Sequence, residues 1–213
     1  MSSEIARTGS LPTAAPSRGL PDLGRHLEPE RLVKACGPAI SQSAMAWMNS
    51  SFQYAGPGQR ERLTQELAEC PSATELTGIA TSLADALATK PSRKVTQASV
   101  AILFDSRARG PQNPEVYLEA LVYDLLDEGF PPAVVVAACQ KLRREQVFTP
   151  EIAEVLAACR EKLKAYSAVQ KLAERLVEIR AQVEVVLLAI EVETVPAPRE
   201  VFDPNAVPGD EGR

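Results

Sequence analysis

The sequence predicts an all-α protein: helical hairpins or a bundle, then a long C-terminal coiled-coil helix, with disordered tails. Three observations carry this. Aromatic residues make up only 5% of the 213 positions while Ala, Leu, Val and Glu abound, a balance that suits helices better than sandwiches or barrels. Apolar residues recur at helical spacing between Pro and Gly breakers through most of the chain. From Val169, the residues Leu172, Leu176, Ile179, Val183, Val186 and Ile190 follow at alternating steps of three and four, the a/d seam of a coiled coil.

Taken in order, residues 1–27 are rich in Ser, Pro, Gly and Arg without sustained periodicity and are expected to form a disordered arm. Residues 28–57 read as weakly helical. Pro29 opens a short helix through Leu32 and Ala35 that Gly37-Pro38 is expected to stop, and Ala44 to Phe52 suggests another. Trp47, flanked by Met45 and Met48, is expected in a small core. A helical domain is assigned to 58–165. After the Gly56-Pro57-Gly58 turn, Leu63 and Leu67 mark a helix that Pro71 ends, and Ser72-Ala73-Thr74-Glu75 has the form of a capping box opening a helix through Leu76, Ile79, Leu83 and Leu87.

Val95 to Phe104 is apolar enough for a buried helix, and Asn113-Pro114 caps another that Gly129 closes. Pro131-Pro132 opens a helix through Val135, Cys139 and Leu142, and Thr149-Pro150 is expected to cap the next. Between Pro150 and Glu193 no Pro or Gly occurs, so one helix or two collinear ones run for over forty residues, the coiled-coil part being 166–195. Pro196, Pro198, Pro204 and Pro208 with Asp203, Asp210 and Glu211 describe a disordered acidic tail over 196–213.

Composition narrows the function classes. The formal net charge of -5 argues against a general nucleic-acid coating protein, so any contact with nucleic acid is expected to be local. Arg107, Arg109, Lys141, Arg143 and Arg144 supply one candidate patch, since clustered arginines offer forked donors to phosphates. The competing reading is that these residues solvate a helix end and complement its dipole. Cys36, Cys70, Cys139 and Cys159 show no CxxC spacing and His26 is the single histidine, so neither a metal site nor a disulfide framework is signalled. Cys139 and Cys159 fall on apolar helix faces, as small core residues do.

Asp124, Asp127 and Glu128 lack a histidine or a second carboxylate cluster beside them, and Gly56-Pro57-Gly58 lacks the Lys-Ser/Thr of a phosphate loop. The expectation is a protein without catalytic activity, cofactor or metal. The first thirty residues hold no apolar signal region and Val185 to Ile190 is too short to span a bilayer, which points to the cytoplasm and no membrane.

Four stretches carry a resemblance: Pro114 to Leu121, Phe130 to Val135, Lys141 to Arg144 and Phe148 to Leu156. Together, over roughly residues 99–165, they resemble a helical module of phage and prophage proteins, similar to the C-terminal part of lambda P-type replication proteins and related helicase loaders. The resemblance implies a DNA-replication accessory that acts through protein-protein contacts, with a replicative helicase as partner. The chain departs from that pattern in its acidic charge and its heptad helix.

Two further readings stand beside this one. One is a structural or assembly protein that oligomerises through its C-terminal helix. The other is a DNA-binding regulator using the 131–165 hairpin. The seam favours self-association: leaving seven such side chains exposed would forgo on the order of 10 to 20 kcal/mol, so something covers them. The rival is that the chain's own helices provide the cover.

Overall fold

A computed structural model describes residues 22–48, 58–106, 110 and 113–194, and among these described residues there are seven α-helices and one 3-10 turn. The 3-10 turn is Gly24–Leu27, and the helices are α1 Glu28–Met48, α2 Gln59–Glu69, α3 Ala73–Ala88, α4 Arg93–Asp105, α5 Pro114–Asp127, α6 Pro132–Glu145 and α7 Ile152–Thr194. The all-α class is as the sequence predicts, and no strand occurs among the described residues. No helix among them is long and apolar enough to cross a membrane. The expected tails, 1–27 and 196–213, fall mostly outside the described residues; residues 22–27 are described and include the 3-10 turn, which packs on α6.

Local chemistry sets the helix starts. The capping box before α3 is reciprocal: the Glu75 amide donates to Ser72 Oγ at 3.2 Å, and the Ser72 amide donates to Glu75 Oε2 at 2.9 Å. Ser92 Oγ and Asn113 Oδ1 accept from the amides of Val95 and Val116, each at 3.5 Å, at the starts of α4 and α5. Gly129 follows α5 at φ 72, a left-handed conformation that costs a glycine little.

The start of α7 differs from the expected Thr149-Pro150 cap. The Glu151 amide donates to Glu154 Oε2 at 2.7 Å, and the Pro150 carbonyl accepts from the Tyr117 hydroxyl at 2.5 Å. The helix begins at Ile152, so Glu151 rather than Thr149 stands at the N-cap, its amide met by the carboxylate at the third helical position, and proline lends its carbonyl to tertiary packing.

A second correction concerns α1, which does not stop at Gly37-Pro38 but runs through Pro38 to Met48. Proline inside a helix removes one hydrogen bond and costs about 3 kcal/mol. Here the apolar stripe continues past it: Ile40, Ala44 and Trp47 are all buried, and burying an isoleucine and a tryptophan outweighs that cost. Gly37 is itself buried, and a Cβ there would lie 3.6 Å from Val169 Cγ2, so α1 and α7 approach closely at a residue without a side chain.

The chain divides into two compact units. One holds the described residues up to Gly37 with Ile79–Lys171; the other holds Pro38–Gly78 with the chain from Leu172. Helices α1, α3 and α7 each give residues to both units.

In the first unit α6 is the central element. Every residue from Pro131 to Cys139 is buried, as for a helix that is apolar all round. Its side chains there are no larger than valine, which admits close neighbours, and α4 packs against it. Phe104 on α4 and Tyr117 on α5 meet edge to face with ring centroids 5.1 Å apart. In the second unit α2 lies antiparallel to α7. Arg60 Nη2 donates to Glu191 Oε1 at 2.6 Å near one end, and Arg180 Nη1 donates to the Leu67 carbonyl at 3.1 Å near the other.

Candidate functional site

The 7-residue a row of the seam extends further toward the N-terminus than Val169. Val155, Lys162, Val169, Leu176, Val183 and Ile190 form one row at steps of seven, interrupted by a lysine. Of the expected seam, Val169, Leu176, Ile179 and Val183 are buried within the chain, while Leu172, Val186 and Ile190 are half-buried. Cys159, Tyr166 and Ala173, each four residues after an a position, are fully buried as well. The covered face of α7 is therefore wider than a two-stranded seam, as in a helix that packs against several neighbours.

Two cations lie on this covered side, one in each unit, and both are satisfied. Lys162 Nζ donates to Glu30 Oε1 at 2.7 Å, Tyr166 donates its hydroxyl proton to Glu30 Oε2 at 2.9 Å, and Lys34 Nζ reaches Glu30 Oε1 at 3.1 Å. The Lys162 and Glu30 side chains are only 15% and 12% exposed, so the pair stands in a partly desolvated site where loss of one partner strands the other. Burial alone would raise the Glu30 carboxyl, but hydrogen bonds from Lys162, Lys34 and Tyr166 outweigh it and hold the group below its ordinary value. Burial, reinforced by the charge of Glu30, pushes the Tyr166 phenol up. In the second unit Arg180 Nη1 donates to the carbonyls of Leu67, Cys70 and Pro71, capping the C-terminal end of α2, and its Nε pairs with Glu184 at 3.1 Å.

The Glu30 network borders an open pocket of about 260 Å³ on the first unit, lined by Lys34 from α1, Lys141, Arg144 and Glu145 from α6, and Glu161 and Lys162 from α7 among others. The pocket brings together two members of the expected basic patch, Lys141 and Arg144. Lys141 Nζ is held by both Glu161 oxygens, at 2.6 and 2.8 Å, and this bond raises the lysine and lowers the glutamate. Arg144 donates to Gln140 Oε1 at 3.1 Å. Four cations there face three carboxylates, Glu30, Glu145 and Glu161, so the pocket is nearly balanced in charge and a phosphate would have to displace existing ion pairs.

Arg143 is exposed on the last turn of α6, at the rim of a separate small cavity of about 40 Å³. Arg107 and Arg109 lie outside the described residues. The ion pairs at the edge of the larger pocket link α6 to α7 through Lys141 and Glu161, and α1 to α7 through Glu30 and Lys162.

Sequence reasoning missed Glu30, Lys162, Tyr166 and Arg180. The signal for Lys162 was present, because a lysine interrupting an apolar row at steps of seven requires a carboxylate partner. Cys139 and Cys159 are buried as expected, and burial pushes the Cys139 thiol up to about 12. Among the described residues, no group of three or more His, Cys, Asp or Glu side chains is placed to hold a metal ion.

The outward side of α7 is different in kind. Val185 and Leu188, one turn apart, are 64% and 62% exposed, and Ala181 and Ala189 beside them are exposed too. With Val186, Leu187 and Ile190 half-buried, the stretch 185–190 of α7 is apolar all round, and the chain covers only one side of it. No family model, no curated protein and no solved structure matches this chain.

Proposed function

We propose that this chain is a non-enzymatic helical adaptor that works through protein-protein contacts at the outward apolar face of α7. The observation that carries this reading is the exposure of Val185 and Leu188 on an ordered helix whose opposite face is already covered. A helix apolar all round but solvated on one side is a contact surface in search of a partner. The resemblance over residues 99–165 names the partner class, a replicative helicase, and the role, a phage or prophage replication accessory in the manner of helicase loaders.

Self-association is the second reading, and the continuity of the exposed face with the half-buried Val186 and Ile190 favours it. Nucleic-acid binding through Lys141, Arg143 and Arg144 is the weakest, since Lys141 is already paired with Glu161. The test is binding of purified replicative helicase to the wild type and to a Val185→Asp/Leu188→Asp variant, with sedimentation of each protein alone. Helicase binding that the variant loses supports the adaptor. Association of the wild type alone, lost in the variant, supports the assembly reading, and neither result would remove both.

A further inference from the structure

Helix α5 has two opposite sides. Leu121, Val122 and Leu125 are buried on one, while Val116, Glu119, Tyr123 and Asp127, at steps of three and four, stand exposed on the other, with Ala120 half-buried between them. Val116 and Tyr123 are 63% and 69% exposed, so this stripe takes no part in folding the chain. The Tyr117 hydroxyl donates to the Pro150 carbonyl, which ties the start of α5 to the loop that carries Val147 and Phe148, themselves 78% and 76% exposed. Four large apolar side chains left in water thus belong to this helix and to the loop tied to its start. Exposed apolar groups gathered in one region mark contact surfaces.

The charges around this stripe restrict its partner. Helix α5 has four acids, Glu115, Glu119, Asp124 and Asp127, and no Lys or Arg. By helical geometry Glu115 and Glu119 run along one flank of the stripe, Asp124 lies on the other flank, and Asp127 stands at its end. Glu151 and Glu154 strengthen the negative field at the start of the helix: burial, then the charges of Glu154 and Glu151, push the Tyr117 phenol up to about 12. Arg143 and Arg144 of α6 line cavities beside α4 and beside α1, and Arg160 is paired with Glu128. Such a surface repels nucleic acid and anionic membrane alike. A second copy presenting its exposed stretch of α7 brings Glu184 and Glu191, charges of the same sign. What matches both the helical spacing and the charge is an amphipathic helix with basic flanks. We propose that this face of α5 docks a basic amphipathic helix of a partner protein, its apolar side on Val116, Ala120 and Tyr123 and its Lys or Arg side chains against Glu115, Glu119 and Asp127. The stripe rises about 16 Å from Val116 to Asp127, so about three turns of the partner span it.

The experiment titrates the full chain into a fluorescent helical peptide of about four turns, with Leu at steps of three and four and Lys on both flanks, and reads anisotropy. Two controls accompany it: a peptide of the same composition scrambled so that no apolar side forms, and one with Glu in place of Lys. Expected are saturable binding of the lysine peptide that weakens as salt rises, and an affinity at least tenfold lower in Val116→Ser/Tyr123→Ser at unchanged helical circular dichroism. Glu115→Lys/Glu119→Lys should lose the lysine peptide and gain the glutamate one, and it carries the test alone should the first variant fold poorly. Val185→Asp/Leu188→Asp should bind the peptide as the wild type does, which separates this surface from the outer face of α7. The proposal is overturned if the lysine peptide shows no saturable binding, if the scrambled peptide binds as well, or if the α5 variants bind as the wild type does. It is also overturned if the α7 variant loses the peptide, or if a single-stranded oligonucleotide binds instead and the α5 variants lose it.

Discussion

Glu30 gathers Lys162, Lys34 and Tyr166 around one carboxylate in the first unit, and its role was not legible in the sequence. Lys162 could be read as a break in an apolar row, but its carboxylate lies 132 residues away on α1, and spacing along one helix says nothing about which distant acid answers it. Replacing Glu30 with Gln strands Lys162 in a site 15% exposed, and the expected cost is about 2 kcal/mol of unfolding free energy, measured by urea titration at neutral pH.

The same residue sets a pH dependence. Its folded carboxyl lies below the ordinary value of 4.5, so the stability it contributes is present above 4.5 and lost as pH falls through the lower folded value. The Glu30→Gln variant should therefore lose less stability than the wild type between pH 4.5 and the acid transition; equal slopes would show that Glu30 is not the linked group. Thiol reactivity offers a check on packing at this scale. Cys139 and Cys159 are buried with thiols pushed up, whereas Cys36 is half-buried, so native alkylation should modify Cys36 first and reach Cys139 and Cys159 only on unfolding.

At the scale of elements, helix starts were legible because caps are local. Ser72-Glu75, Ser92 and Asn113 act within three residues of themselves, and Ser72→Ala should cost about 1 kcal/mol, read as a fall in thermal midpoint. Pro38 defeated the same logic, because a proline's local cost was outweighed by Ile40, Ala44 and Trp47, whose burial depends on distant neighbours. The seam of α7 was visible as a pattern, but a pattern does not say whether its partner is a second chain or an earlier helix. Leu176 and Val183 are wholly buried in the single chain, so an Asp at Leu176 places a charge where no partner offsets its desolvation. That variant is expected to unfold the second unit at any protein concentration, as loss of helical circular dichroism would report, rather than to dissociate into folded chains.

For the molecule as a whole, each of the two units is built from segments far apart in the chain. Composition gave the helical class, since it needs no knowledge of contacts, while the pairing of α1 and of α2 with α7 emerges only when the chain is folded. The central proposal is that α7 has two faces with separate duties: an inner one, buried in the chain, that folds it, and an outer one, exposed at Val185 and Leu188, proposed to contact a partner. Sedimentation velocity over a concentration series tests it most directly, on the wild type, on Leu176→Asp and on Val185→Asp/Leu188→Asp, each with and without a replicative helicase. The expected result is that the wild type associates, with itself or with the helicase, that the outer-face variant stays compact and associates with neither, and that Leu176→Asp sediments as an expanded chain. A wild type that associates with nothing, an outer-face variant that associates as the wild type does, or a Leu176→Asp protein that is a compact folded monomer would contradict the account.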